Sequence, residues 1–284
     1  MTRPFLGSEA VRGGTLRPHH LRTRFHRIFP DVYVARDQPV LSLRQRTEAA
    51  WLWSHRQGVV AGVSAAACHG SKWVDERLPI ELIWPNARPP QGIRTYDVCL
   101  DADEVGVIAH LPVTTPARTA YDLARRPPLD AAIARLDALI SATGVKVEEV
   151  AELAERHPGA RGLRQLDSAL QLVDTGSQSP RETWLRLLLL RAGFPRPVTQ
   201  IPVVCADGRQ VFYLDMAWED LLVAVEYDGE HHRLDRWQYT KDIRRSEALE
   251  RLGWLIIRVV ATDRPADIVR RVRDARELRA SSLR

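Results

Sequence analysis

Two acids and two imidazoles, Glu226, Asp228, His231 and His232, fall within seven positions of one another in the stretch VAVEYDGEHH, residues 223–232. The run before them, LLVAV, reads as a buried strand. Along a strand the side chains alternate, so Leu222, Ala224, Glu226 and Asp228 share one face while Val223, Val225 and Tyr227 share the other. The preceding run, VFYLDMAW, is separated from it by only a few residues, and an antiparallel hairpin would carry its Asp215 next to Glu226. Buried carboxylates that close repel one another unless a proton or a cation lies between them. A divalent metal answers that need, and oxygen donors suit Mg²⁺ or Mn²⁺ better than zinc. Asp215 and Glu226 would hold it, with the Tyr227 carbonyl as a third oxygen, and the chemistry on offer is metal-assisted attack of water on a phosphodiester. His231 or His232, titrating near neutrality, could move the proton. A simpler account stands beside this one: Asp228-Gly229 suits a type I′ hairpin turn, and either histidine alone is an ordinary surface residue.

The elements that must position these groups follow from local signals. SPRETWLRLLLLRAGF predicts a helix with Ser179 as cap, Pro180 at its first position and Gly193 as its stop. Strands are expected at VTQIPVV, QVFYLDMAW and LLVAVEY, then a polar helix over 236–252 and a strand at WLIIRVV. Upstream, TLRPHHLRTR reads as a short basic helix capped by Thr15 and leads to a strand at DVYVA. SLRQRTEAAWLWSH predicts a core-facing helix, and GVVAGVSAAACHG a strand followed by a helix capped by Ser64. LPIELIWP and IRTYDVCL read as strands. LPVTTPARTAYDLARR starts a helix, with Thr115 as cap and Pro116 at its first position. Within it Arg118 and Asp122, four apart, are expected to pair on the helix surface. Two or three helices fill Leu129 to Val173, and the small polar residues DTGSQSP, 174–180, mark a linker. The expected class is mixed α+β in two parts, 1–173 and 174–284.

The run from SPRETWLRLLLLRAGF through LDMAWEDLLVAVEYDGEHH to DIRRSEALERLGWLIIRVV resembles the PD-(D/E)XK nuclease superfamily, in the branch similar to very-short-patch-repair endonucleases. The resemblance covers about the last hundred residues. It rests on Glu182, Asp215, Glu226, the Asp228-Gly229 pair, the histidines, Asp242 and Arg245, and the closing strand, in that order. It implies a restriction-endonuclease-like three-layer α/β/α domain that binds Mg²⁺ or Mn²⁺ and cuts DNA, with Glu182, Asp215, Glu226, Asp228, His231 and His232 in the catalytic set and Arg245 on the nucleic acid. The chain departs from the pattern at Asp228, where the superfamily has the lysine that positions water and stabilises developing charge.

FPDVYVARD, GVSAAACHG and LPVTTPARTAYDLA resemble AbiEi-type antitoxins and transcriptional regulators over roughly residues 10–125. That likeness implies a small winged-helix part before a larger α/β part, operator DNA as one partner and a nucleotidyltransferase-type toxin as another. The stretch before Thr15 is short for a complete helix-turn-helix, so the winged-helix start is expected to be truncated. Arg17, Arg22, Arg24 and Arg27, interleaved with His19, His20 and His26, are the expected phosphate contacts. A solvated basic helix face would carry the same residues.

The formal charge of +5 is mild support for a polyanionic partner. Three scattered cysteines, Cys68, Cys99 and Cys205, lack any CxxC pairing and are expected to be buried thiols, neither a disulfide framework nor a zinc site. With no long apolar run and no apolar leader at MTRPFLGSEAVRGG, a cytoplasmic address is the default. Two functions stand open: a Mg²⁺-dependent DNA endonuclease, or a DNA-binding antitoxin or regulator whose nuclease-like part is catalytically inactive.

Overall fold

A computed structural model describes residues 3–37, 40–205, 211–229 and 236–282, and the side chains of 236–242 lie outside the description. The chain divides into two compact units, Met1–Gln171 and Leu172–Arg284. Among the described residues it is an α+β protein of eleven α-helices and three sheets.

The N-terminal unit opens with β1 (Phe5–Leu6), α1 (Gly7–Arg12), α2 (Pro18–Arg24), β2 (Phe25–Phe29) and β3 (Val32–Ala35), the strands forming a sheet in the order β1-β3-β2. The basic helix therefore starts later than expected: Arg17, not Thr15, is its cap, and Pro18 stands at its first turn. Two helices, α1 and α2, precede β2. α3 (Leu43–Trp53) is capped by Ser42, whose hydroxyl accepts the Gln45 amide, and it buries Ala49, Ala50, Leu52 and Trp53 against Leu6, Phe29 and Val32.

Next come β4 (Val59–Val60), α4 (Gly62–Cys68), β5 (Ile80–Ile83), β6 (Ile93–Tyr96), β7 (Val105–Ile108) and β8 (Leu111–Thr114), in a sheet of order β6-β5-β4-β8-β7. Ser64 does not cap α4, which starts two residues earlier. Gly62 has φ +54°, and a Cβ there would lie 1.7 Å from Glu81 Oε2. That carboxylate accepts the Val63 amide at 2.9 Å and does the capping instead. The unit closes with α5 (Pro116–Arg125), α6 (Leu129–Thr143), α7 (Val147–Arg156) and α8 (Leu163–Leu172). Thr115 caps α5 as its sequence demands.

In the C-terminal unit, α9 (Pro180–Arg191) is capped by Ser179, and β9 (Val198–Val204), β10 (Val211–Trp218) and β11 (Val223–Asp228) form an antiparallel meander. α10 (Arg236–Arg251), β12 (Leu255–Val260) and α11 (Pro265–Ser282) complete it, with the sheet in the order β12-β11-β10-β9. One face packs Met216, Trp218, Val223 and Val225 against Leu185 and Leu189 of α9 and Ile268 and Val272 of α11. The other packs Leu214, Ala217 and Ala224 against Leu249 of α10 and Trp254. The sheet is thus a middle layer between helices. β12 runs parallel to β11, so Asp228-Gly229 ends a strand and makes no hairpin turn: a parallel neighbour requires a crossover, and α10 lies on it.

The connector is bolted down within this unit. Arg186, fully buried on α9, donates to the Leu172 carbonyl at 2.5 Å and to Ser177 Oγ at 3.2 Å, while Asp174 accepts from Thr199 Oγ1 at 2.6 Å. The cysteines also differ from expectation. Cys99 is exposed in the chain after β6, and Cys68 and Cys205 are half-buried.

Candidate functional site

The meander brings the first two acids together. Met216 pairs with Val225, which places Asp215 across from Glu226, and Asp215 Oδ2 accepts the amide of Tyr227 at 2.8 Å. Glu182 reaches the same region from the first turn of α9, close enough for its charge to act on Asp215. Burial pushes the Asp215 carboxyl up to about 7; the Tyr227 amide pulls against this, and the charges of Glu182 and Glu226 add to it. Burial also raises Glu182, opposed by the Gln178 amide and the Ser179 hydroxyl.

Each acid already has partners. Glu182 accepts from the Gln178 amide at 2.8 Å and from Ser179 Oγ at 2.8 Å, closing the cap of its own helix. Glu226 is buried and takes both arms of Arg245: Nη1 donates to Oε2 at 2.9 Å and Nη2 to Oε1. Nη2 also donates to the Tyr213 carbonyl at 2.8 Å. A hard divalent cation needs several open oxygens. As arranged, this donor set does not present them, because a guanidinium spans both oxygens of the most buried acid. Arg245 faces inward to Glu226 here. Asp228 ends β11 half-buried, and the Tyr227 side chain faces the α9 side. His231, His232 and the Asp242 side chain lie outside the described residues.

The arginines expected on nucleic acid sit elsewhere. Arg17, Arg22, Arg24 and Arg27 are all exposed on α2, its cap and β2, together with His19 and His26, while His20 is half-buried. Arg36 on the far side of the hairpin donates through Nη2 to the Arg22 carbonyl at 2.7 Å and through Nε to the Phe25 carbonyl at 3.3 Å. That clamp fixes the end of α2 against the start of β2.

A second charged cluster is not foreshadowed by the residue spacing. Arg118 and Asp122 are not a surface pair: both are buried, with Arg118 Nε 3.3 Å from Asp122 Oδ2. Arg118 Nη1 meets Glu104 Oε2, Glu104 Oε1 lies 2.5 Å from His157 Nε2, and Asp122 Oδ1 also takes Arg125 at 2.8 Å and Arg126 at 2.7 Å. Spacing of four residues shows that two side chains share a helix face, and only the partners supplied by the turn before β7 and by the end of α7 decide that this face is inside. Asp101, Glu104 and His157 have ligand atoms within 4.8 Å of one another, but Arg156 holds Asp101 at 2.8 Å and Arg118 holds Glu104. The arrangement is an ion network that ties α5 to α7.

The β4–β8 sheet and the helices after it lie in the stretch for which a family likeness is found. Residues 58–175 match the AbiEi antitoxin C-terminal domain. The match spans the buried Arg118 network and the whole α5–α8 helical layer. Two proteins from strains of Mycobacterium tuberculosis, both named as uncharacterized, are 26% identical over 269 residues, covering 93% of this chain and 92% of theirs. The likeness to them therefore runs through both units. No solved structure matches the chain. Among the described residues no helix is long and apolar enough to cross a membrane.

Proposed function

We propose that the chain is a DNA-binding regulator of the antitoxin type, with its C-terminal unit serving as a nuclease-like scaffold. The observation that carries this reading is the segment ahead of the antitoxin-like stretch. There β1, α1, α2 and the β2–β3 hairpin follow one another in the order of a winged helix-turn-helix, and the exposed arginines lie on α2 and the first strand of the wing. Phosphate contacts from these arginines would set register on the duplex, and α2 would be the element offered to a groove. The family likeness at 58–175 points to DNA or a toxin as partner in general, and a nucleotidyltransferase-type toxin is the partner proposed here. Titrating labelled duplex DNA with the full chain at several salt concentrations tests the reading. Removing one arginine–phosphate ion pair flattens the slope of log K against log salt by about 0.9, so Arg22→Ala with Arg24→Ala lowers it by up to about 2. An unchanged slope removes α2 from the interface.

A second reading, a Mg²⁺- or Mn²⁺-dependent DNA endonuclease, is favoured by one observation: the charges of Glu182 and Glu226 both bear on the buried Asp215 carboxyl, the kind of repulsion a cation relieves. It requires Arg245 to leave Glu226. Nicking of supercoiled DNA that depends on metal and vanishes in Glu226→Gln would support it, and failure to cut any form of DNA would end it.

A further inference from the structure

We infer that Arg36 is a positioning residue for DNA binding, holding α2 at the angle to the β2–β3 wing at which the arginines of both elements meet one duplex. The inference rests on the DNA-binding reading and deepens it. α2 has seven residues and buries none of them. So short a helix is marginal in water by itself. Little burial anchors this one: Leu21, half-buried, leans over Gly7, where an added Cβ would lie 3.1 Å from Leu21 Cδ1 and 2.5 Å from the Tyr33 ring. The last carbonyls of a helix have no partner within it. Arg36, the first residue after β3, takes up two of these and the carbonyl that follows. Its backbone amide donates to the Arg24 carbonyl at 3.1 Å, Nη2 to the Arg22 carbonyl at 2.7 Å and Nε to the Phe25 carbonyl at 3.3 Å. A guanidinium at that end also matches the negative pole of the helix. Phe25 leaves α2 in extended backbone to open β2 and packs edge-on against Phe5 at 4.9 Å, so one residue at the end of β3 ties the helix to the wing. Arg22 and Arg24 on the last turn of α2, and Arg27 on β2, are the exposed cations whose spacing this clamp sets. With Nε and Nη2 committed to carbonyls, Arg36 acts through α2 and not by a phosphate contact of its own.

Titrations of a labelled duplex of mixed sequence with the full chain, repeated over a salt series, test this. Arg36→Gln should bind about tenfold more weakly at every salt concentration with the slope of log K against log salt unchanged, because a helix docked about a tenth of the time lowers affinity by that fraction and loses no phosphate contact. Arg36→Lys should fall with it, since it keeps the charge and surrenders the planar fork. A phosphate contact, by contrast, would survive in the lysine variant. In both variants hydrogen exchange should quicken over residues 17–25 and nowhere else, with the melting temperature held, a local opening that general loss of stability does not produce. Parent affinity in Arg36→Gln overturns the inference and leaves the DNA reading standing. So does a slope lowered by about 0.9 in Arg36→Gln with binding kept in Arg36→Lys, the mark of a phosphate contact. Exchange that quickens throughout the chain makes the residue a general support of the fold and overturns the inference too. A parent chain that binds no duplex at any salt concentration sinks the DNA reading and this inference with it.

Discussion

Arg118 and Glu104 meet at 2.5 Å with each side chain only 2% exposed. Removing one member of a buried pair strands the other charge away from water, which costs about 3–5 kcal/mol. Glu104→Gln is therefore expected to lower the unfolding free energy of the N-terminal unit by an amount of that order, read from urea denaturation. Glu104→Leu combined with Arg118→Met should recover much of the loss, because an apolar pair leaves no orphan charge. A single substitution that lowers stability by less than about 1 kcal/mol would show that water reaches this network.

Asp215 gives the C-terminal unit a pH dependence of definite sign. Its folded pKa of about 7 stands above the ordinary 3.8, so the folded chain holds this proton after the unfolded chain has released it. Stability is greatest below the unfolded value, falls as pH rises from about 4 to about 7, and levels off beyond. Asp215→Asn keeps an acceptor for the Tyr227 amide and carries no charge. Thermal melts should show the variant more stable than the parent at about pH 8 and the two alike near pH 4. Parallel curves at all pH would mean that Asp215 is solvated.

On the outer side of β12, two backbone groups are taken up by side chains. Arg271 Nη1 donates to the Arg258 carbonyl at 2.9 Å, Asp263 Oδ2 accepts the Val260 amide at 3.0 Å, and the two side chains pair at 2.5 Å. Open strand edges recruit other strands. Arg271→Ala with Asp263→Ala is expected to make the protein associate with rising concentration in light scattering. A double variant that scatters like the parent across the same range would show that the edge is guarded by something else.

Gly62→Ala is expected to destabilise the N-terminal unit strongly. The added methyl meets the Glu81 carboxylate at 1.7 Å in a backbone of positive φ, so it must both strain the chain and dislodge the group that caps α4. Melting of Gly62→Ala together with Glu81→Ala checks the cause: with the carboxylate gone, the glycine substitution should add far less than it does alone.

What could be read from the sequence was what is decided locally. Ser179, Pro180 and Gly193 bound α9 through their own backbone chemistry, the alternation in VTQIPVV predicted β9, and the unbroken apolar run LLVAV predicted β11, whose first four residues are all buried. The pairing of Asp215 with Glu226 followed from the shortness of their connection. β1 and β4, two residues each, carry no periodicity and exist through their partners. α11 is hidden in the sequence although Ile268, Val272 and Ala275 trace a helical stripe, since its many arginines read as solvent-facing. Asp228-Gly229 has the chemistry of a hairpin, and only the arrival of a parallel β12 decides that no hairpin forms. Arg245 on Glu226 was beyond reach for the same reason: the sequence places both residues, and the packing of α10 on the sheet joins them.

The order of the chain gives that ion pair a history. As the polypeptide leaves the ribosome, the β9–β10–β11 meander has only short loops to close and can assemble first. Arg245 follows Glu226 by 19 residues, and β12 comes later still. A nascent chain paused in that interval has Asp215 and Glu226 drawn together with no guanidinium between them, and the open flank of β11 beside them. A chain halted there would present a bare strand edge, and bare edges invite association with the wrong chain.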